Sequence, residues 1–416
     1  MAQDPRRPYV LFAGEDWWHH SHAHADLQIM IQVARVRPVL IVNTLGMRPV
    51  LGAHQPDHSW RQAARRIVRR VSTMRPWAVR PVPGALPELR VLAPVVLPWF
   101  GSSWRGRASA ALVAAQARRA VRGLGSPAVA VANPVAWPVV RRMGLEPVLA
   151  YRIDHHRAMP GVDRCEVERL EDELFAAADL VAYSSSALLS AERDRHRGAG
   201  RHLDHGVDAV RFDPDRPGLD EPADLAAVPR PRLGLVGSLE AATKDVELLD
   251  AIATALPEVS VVVVGAEPDA APTLAAHPNV WMLGRRPHAA IPRYLRHLDA
   301  GLVLVPDHEW GRGSNPIKLK EYLAMGLAVV STDFPELERY RGVVAVGTDA
   351  DAIVEAVRGV LTDPVRREDD AEARARRRAV GAARTWQDQA VLLLRWWDDD
   401  DAADDLAALG PLDAVV

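Results

Sequence analysis

The sequence predicts an α/β protein made of two doubly wound parallel-sheet domains. Three observations predict it. Short apolar strands alternate with amphipathic helices twice along the chain. A Pro- and Asp-rich stretch without periodicity, residues 211–232, separates the two alternations. The 416 residues are enough for two cores of ordinary domain size.

In the first alternation the strands are expected at Tyr9–Ala13, Pro38–Asn43, Arg90–Ala93, Ala128–Ala132, Pro147–Tyr151 and Leu180–Tyr183. Helices fall between them at His22–Arg35, Arg107–Arg122, Val135–Met143 and Arg164–Ala177. In the last of these, Val167, Leu170, Leu174 and Phe175 lie near one face, the mark of a helix covering a sheet. Near-continuous apolar strands of this kind are buried on both faces.

The second alternation runs strand Leu233–Val236, helix Lys244–Leu256, strands Val259–Val264 and Val280–Leu283, helix Ile291–His297 and strand Gly301–Val305. Helix Pro316–Met325, strands Ala328–Thr332 and Val343–Val346, and helix Ala352–Leu361 complete it. The domains are therefore expected at 1–215 and 232–380, with 216–231 as linker. Residues 381–416, with Trp386, Trp396 and Trp397 before an Asp run, are expected to pack a helix back on the first domain and to end in a solvated acidic tail. Two such sheets facing one another would place their loops on a shared cleft, at the carboxyl ends of the strands.

Composition narrows the function classes. The net charge of −3 gives no reason to expect nucleic acid as a partner. No apolar run approaches the roughly 20 residues of a membrane helix, and the apolar stretch Tyr9–Gly14 is too short for a signal-peptide core. A single cysteine, Cys165, excludes an internal disulfide and a four-thiolate zinc site. A cytoplasmic location follows as the default. Residues 1–120 carry 17 Arg against six acidic residues, and Arg61, Arg65, Arg66, Arg69 and Arg70 recur at helical spacing. That pattern leaves two readings open, Arg-coated helices or a peripheral contact with an anionic membrane at its inner face.

Lysine is scarce, at Lys244, Lys318 and Lys320 only, in a chain with 48 Arg. A Lys in such a chain marks a place where a compact ammonium suits better than a planar fork, as at a phosphate. Lys318 lies in the segment Ser314, Asn315, Pro316, Ile317, Lys318, Leu319, Lys320 and Glu321. Asn315 before Pro316 has the form of an N-cap with Pro at the first helical position. The helix N-terminus that follows would offer N–H groups and partial positive charge to a diphosphate. Glu321, one turn deeper on the face of Lys318, has two acceptor oxygens for the hydroxyls of a ribose. The alternative is a plain capped surface helix with a Lys–Glu pair. In the turn after Val236, Gly237 permits close backbone approach, and Lys244 would enter the same region.

In the first half, Gly14 and Asp16 follow the first strand, where backbone or carboxylate could meet an acceptor or a phosphate. His19, His20, His22 and His24 crowd the same stretch, but no cysteine accompanies them and no metal site is expected. Asp154 and His155, just beyond a strand, have the chemistry to orient or deprotonate a hydroxyl. Trp77, Trp99, Phe100 and Trp104 could line an acceptor surface.

The order Gly237-Ser238, Lys244-Asp245, Leu248-Leu249, Gly265, Pro278-Asn279-Val280, Leu283-Gly284, then Asn315-Pro316-x-Lys318-x-x-Glu321-Tyr322-Leu323-Ala324-x-Gly326 resembles the donor domain of glycosyltransferase family 4, the group 1 glycosyltransferases. Asp16-Trp17-Trp18 with Val42-Asn43, Gly46 and Arg48 is similar to the exopolysaccharide-type branch. The resemblance implies a GT-B fold and a retaining transfer of a sugar from a UDP- or GDP-sugar to a hydroxyl acceptor, in polysaccharide or glycoconjugate synthesis. No cofactor and no essential metal are implied. Lys244 and Lys318 would bind the donor phosphates and Glu321 its ribose. Where the family often carries a further Glu, eight residues before Glu321, this sequence has Gly313. A GT-B epimerase and a non-catalytic nucleotide-sugar-binding protein stay open as alternatives.

Overall fold

The computed structural model describes residues 7–17, 23–47, 79–81, 86, 88–97, 99–159, 161–239, 245–362, 370–397 and 399–412. The chain divides into two compact units, residues 1–204 together with 386–416, and residues 205–385.

The first unit is built on an eight-stranded sheet. Its strands are β1 (Tyr9–Phe12), β2 (Val39–Val42), β3 (Val79–Pro81), β4 (Leu89–Leu92), β5 (Ala128–Val131), β6 (Val148–Arg152), β7 (Leu180–Tyr183) and β8 (Ala199–His202), in the order β3-β4-β2-β1-β5-β6-β7-β8. All neighbours pair in parallel except β3, which runs antiparallel to β4 at the edge. Strands β1, β2, β5 and β7 are buried at every position, as expected of apolar runs covered on both faces. The helices are α1 (Ala25–Val33), α2 (Trp104–Val121), α3 (Trp137–Met143), α4 (Arg164–Ala177) and α5 (Ser186–Ala191). Helix α4 starts at Asp163, whose side chain accepts from the Glu166 amide, and buries Val167, Leu170, Leu174 and Phe175.

The second unit carries a six-stranded, wholly parallel sheet in the order β11-β10-β9-β12-β13-β14. These strands are β9 (Arg232–Val236), β10 (Ser260–Val264), β11 (Val280–Met282), β12 (Ala300–Val303), β13 (Ala328–Thr332) and β14 (Val344–Gly347). Its helices are α6 (Ala223–Ala226), α7 (Val246–Ala255), α8 (Pro272–Ala275), α9 (Ile291–Arg296), α10 (Glu309–Arg312), α11 (Ile317–Ala324), α12 (Ala350–Thr362) and α13 (Asp370–Gly381). The period of two along β10 divides its valines between the faces. Val262 and Val264 join Tyr294 and Leu295 of α9 and Leu319, Tyr322 and Leu323 of α11. Val261 and Val263 join Leu249 and Ile252 of α7 and Ile353 and Val357 of α12. Each such fully buried Leu, Ile or Val contributes about 1.5–3 kcal/mol.

After α13 the chain returns to the first unit as α14 (Trp386–Trp396) and α15 (Asp400–Ala408). The Asp run is not merely a solvated end. Asp399 caps α15 and pairs with the buried Arg37 at 3.0 Å, while Tyr9 donates its hydroxyl to Asp399 at 2.7 Å. The carboxylate is part-buried between Tyr9 of β1 and Arg37, which follows α1. Burial, together with the bond to Asp399, pushes the Tyr9 pKa up.

Two boundaries differ from the sequence reading. The first unit ends at Asp204, not at 215, and residues 381–385 stay with the second unit. There Val207 pairs with Thr385 and its amide donates to the Arg384 carbonyl. Nor is 216–231 a bare linker, because Leu219, Leu225 and Val228 bury in the core of the second unit. Three apolar side chains scattered among Pro and Asp have no period to reveal them. Strand β8 escaped for the same reason: its sequence, Ala-Gly-Arg-His, has no β-former and is held by pairing with β7.

Candidate functional site

In the second unit, β9, β10 and β11 end close together, and each turn contains a glycine. Gly237, Gly265 and Gly284 have φ of 130°, 128° and 71°, conformations that L side chains rarely adopt. The turns are also laced together. The Gly237 amide donates to the Val264 carbonyl at 2.8 Å, and the Gly265 amide to the Gly284 carbonyl at 2.9 Å. A Cβ at Gly265 would lie 2.6 Å from the Gly237 oxygen. Side chains are excluded here, so main chain lines the edge of the sheet.

Helix α11 grips the end of β9 by both polar groups of Val236. The Val236 amide donates to the Tyr322 hydroxyl at 2.8 Å, and the Val236 carbonyl accepts from Lys318 Nζ at 2.7 Å. Burial pushes the Tyr322 hydroxyl pKa well up, so it stays neutral. Lys318 Nζ lies so close to Gly237 that a Cβ there would come within 2.6 Å of it. The structure thus brings Gly237 and Lys318 together.

Glu321, one turn along α11, is buried and already engaged. His288 Nε2 lies 2.6 Å from its Oε1. On the other side of the imidazole, Arg211 Nη1 is 3.2 Å from His288 Nδ1. Neither partner was legible in the sequence: Arg211 is 110 residues away from Glu321, and His288 sits in a short 3-10 turn with no periodic signal.

The approach to α11 differs from the expected cap. Pro316, not Asn315, occupies the cap position, no side chain caps the helix, and α11 begins at Ile317. Pro316 has φ −67° and ψ 115°, so its backbone is still extended when the helix starts. Ser314 is buried, and its hydroxyl donates to the Trp310 carbonyl at 3.3 Å. The preceding turn is tied by His308, whose Nδ1 accepts from the Gly311 amide at 3.1 Å. Gly311 cannot be larger, since a Cβ would meet the Pro306 oxygen at 1.9 Å. Gly313 has φ −93°, a backbone any residue adopts.

Lys244 lies outside the described residues. Lys320 is buried and donates to the His205 carbonyl, which ties the start of this unit to α11. Its ammonium serves main chain rather than a phosphate site. A cavity of about 750 Å³ opens beside the ends of β12, β13 and β14, walled by Asp245, Asp307, Arg312, Asp333, Arg341 and Asp349. Lys318 and Glu321 do not line it.

In the first unit, Gly14 and Asp16 sit in a braced turn after β1. The Gly14 amide donates to Asp26 at 2.8 Å, Thr44 donates to the Gly14 carbonyl at 2.9 Å, and Asn43 donates to Asp16 at 3.1 Å. Asp26 is fully buried, and that burial raises its pKa. Asp154 and His155 follow β6, and the His155 amide donates to Asp154 Oδ1 at 2.7 Å. Arg157 Nε donates to His155 Nε2 at 3.3 Å, so that nitrogen accepts.

Beside them lies an ion network that sequence reasoning missed. Arg152 is 1% exposed and pairs with Glu171 and, at 2.9 Å, with Glu192; Arg195 joins both carboxylates. Trp99 and Trp104 are exposed, with Arg105 over both rings. Trp77, the 61–70 arginines and His19, His20 and His22 lie outside the described residues. Among the described residues no group of three His, Cys, Asp or Glu is placed to hold a metal ion, and no helix is long and apolar enough to cross a membrane.

Residues 230–363 match the family described as Glycosyl transferases group 1. The chain is a glycosyltransferase. No curated protein matches it in sequence. Among solved structures, it is similar to sucrose-phosphate synthase from Thermosynechococcus elongatus, at 15% identity and a TM-score of 0.67, over 96% of this chain and 100% of that one. HepE of Anabaena, solved with UDP-glucose, aligns at 15% identity and 0.63, over 96% and 100%. The UDP-forming α,α-trehalose-phosphate synthase from Burkholderia vietnamiensis aligns at 14% and 0.58, over 97% and 100%. At such identities the likeness carries the fold, and the glycosyltransferase has the two α/β domains of the GT-B class.

Proposed function

We propose that this glycosyltransferase takes a sugar from a UDP- or GDP-sugar and transfers it, with retention, to a hydroxyl acceptor in polysaccharide or glycoconjugate synthesis, as a member of the exopolysaccharide-type branch of family 4. One observation carries the reading. Lys318 is anchored on the end of β9 against the bare backbone of Gly237, with Glu321 one helical turn deeper. A positive group at a glycine-lined strand end suits a diphosphate, and a carboxylate one turn away suits a ribose. HepE was solved with UDP-glucose, and the trehalose-phosphate synthase is named as UDP-forming, which favours UDP over GDP.

In this reading the bond between the sugar's anomeric carbon and the diphosphate oxygen breaks. The leaving charge is taken up by Lys318, Lys244 and the main-chain N–H groups of the first turn of α11, which the turn through Ser314, Asn315 and Pro316 leads into. The acceptor oxygen forms the new bond to the anomeric carbon. Asp154 takes the acceptor's proton and His155, whose Nε2 is engaged by Arg157, orients the hydroxyl, with Gly14 and Asp16 shaping the acceptor or phosphate loop. The positive groups come from the protein, and no essential metal or other cofactor is required. The enzyme works in the cytoplasm, with a peripheral contact to anionic lipid through the arginines of residues 61–70.

Calorimetry with UDP-, GDP- and ADP-glucose, together with nucleotide release in the presence of hydroxyl acceptors, tests the reading. Lys318→Ala and Glu321→Ala are expected to weaken donor use at least tenfold, about 1.4 kcal/mol each, with folding unchanged. Wild-type donor use in both variants refutes the site. Gly313 supports a second reading, since its backbone does not demand glycine and yet the family's carboxylate is absent. Tight nucleotide-sugar binding without turnover would favour that non-catalytic reading.

A further inference from the structure

We infer that His288 and Arg211 are positioning residues that hold the Glu321 carboxylate for ribose recognition; this rests on the reading of Glu321 proposed above. The geometry fixes the proton. A guanidinium has only donors, so the contact of Arg211 Nη1 at 3.2 Å makes His288 Nδ1 the acceptor. The other ring nitrogen then carries the hydrogen, and it points at Glu321 Oε1 from 2.6 Å. The result is a charge-assisted bond with one direction and one tautomer.

Every member of the relay is itself held. Arg211 is 6% exposed, and its guanidinium lies 3.4 Å from Asp208, whose other oxygen accepts from the Arg211 amide at 2.9 Å. The Phe212 ring packs against the imidazole at 5.4 Å. Asp208, Arg211 and Phe212 thus form one short turn clamping His288 from behind. The sequence reading placed this turn before the linker, yet it belongs to the second unit with Glu321. A carboxylate on a glutamate stem can rotate about its last bond. Tying Oε1 to His288 fixes the plane, so the remaining lone pairs face one direction. Two neighbouring hydroxyls of a ribose need such a fixed pair of acceptors; a single hydroxyl needs much less.

The test compares UDP with 2′-deoxy-UDP, and GDP with 2′-deoxy-GDP, by calorimetry on the full chain. Wild type is expected to prefer the ribonucleotide, by about tenfold from one hydrogen bond to a charged group. His288→Leu should lose most of that preference. His288→Gln, which can still present an N–H to Glu321, should keep part of it, and Arg211→Met should fall between. A role in folding alone would lower the melting temperature without changing the ribose-to-deoxyribose ratio. If His288→Leu folds and keeps the full ratio, the inference is overturned. Should that variant not fold, an unchanged ratio in Arg211→Met overturns it instead. The failure of the underlying reading looks different: wild type shows no ribose preference and Glu321→Gln binds as wild type does. A preference lost in Glu321→Gln but intact in both relay variants removes only the relay.

Discussion

Replacing Arg152 by Met should cost the first unit about 3 kcal/mol at neutral pH, and the loss should shrink in acid. Arg152 closes a fork on Glu192, at 2.9 and 3.2 Å, and bonds Glu171, with all three side chains 1–2% exposed. Methionine fills much of the volume but leaves the two buried carboxylates to Arg195, at 2.9 and 3.3 Å, with His156 and Arg157 each 3.7 Å from one of them. Burial by itself pushes the Glu171 pKa up. Arg152 first, then His156 and Arg195, outweigh it and hold the group at about 2, below its ordinary 4.5. Glu192 is shifted down as well, by the same balance. For a lowered carboxylate the stabilisation is fully present above the unfolded value and is lost as pH falls toward the folded one. Held that far below its ordinary value, Glu171 contributes about 3 kcal/mol at pH 7, and about 2 kcal/mol of that is gone by pH 3. In Arg152→Met the carboxylates titrate higher, so acid relieves the variant while it harms wild type. Hydrogen exchange of the Val148–Arg152 and Leu180–Tyr183 amides, corrected for intrinsic rates at pH 7 and pH 3, reads this unit without interference from the other. A loss below about 1 kcal/mol at pH 7, or the same loss at both pH values, would refute the reasoning.

Two further outcomes follow from single contacts. Gly237→Ala should raise the KM for the donor and destabilise the second unit by about 1–2 kcal/mol, because φ is 130° and the new Cβ would displace Lys318 Nζ from 2.6 Å; unchanged steady-state kinetics would count against Lys318 as a donor ligand. Asp399→Ala should lower stability by about 3 kcal/mol, since it leaves the buried Arg37 only the more exposed Asp405 at 3.6 Å as ion-pair partner and removes the Tyr9 bond and the cap of α15; chemical denaturation that matches wild type would refute this role of Asp399.

The fold was legible where strands are apolar and helices striped. Leu180–Tyr183, Arg164–Ala177 and Ala328–Thr332 fall where their patterns put them, because burial on both faces or on one stripe leaves a period in the sequence. What stayed hidden has no period. Leu219, Leu225 and Val228 bury singly, β8 is held by its neighbour, and Arg152 looks like any strand-end arginine until Glu171 and Glu192 are brought to it. The candidate site divides in the same way. Lys318 and Glu321 share a helix, so their spacing could be read. His288 and Arg211 reach Glu321 only through tertiary packing, and no local pattern points to them.

The lysines show how a compositional argument can be right about chemistry and incomplete about the partner. Scarcity suggested that each Lys serves where a compact ammonium is wanted, with a phosphate as the obvious case. Lys320 instead donates to the carbonyl of His205, deep in the second unit, and Lys318 donates to the carbonyl of Val236. A carbonyl lone pair and a phosphate oxygen ask for the same donor, so residue type alone does not separate them. Position does. Lys320 is enclosed, whereas Lys318 is partly exposed beside Gly237 at the carboxyl end of β9. The bond to Val236 fixes where the nitrogen sits. A long, flexible side chain is thereby ordered before any anion arrives, and the entropy of ordering it is spent in folding rather than in binding. The scarcity of lysine therefore carries meaning at Lys318 through the carbonyl first, and any phosphate would be bound by a group the carbonyl has already set.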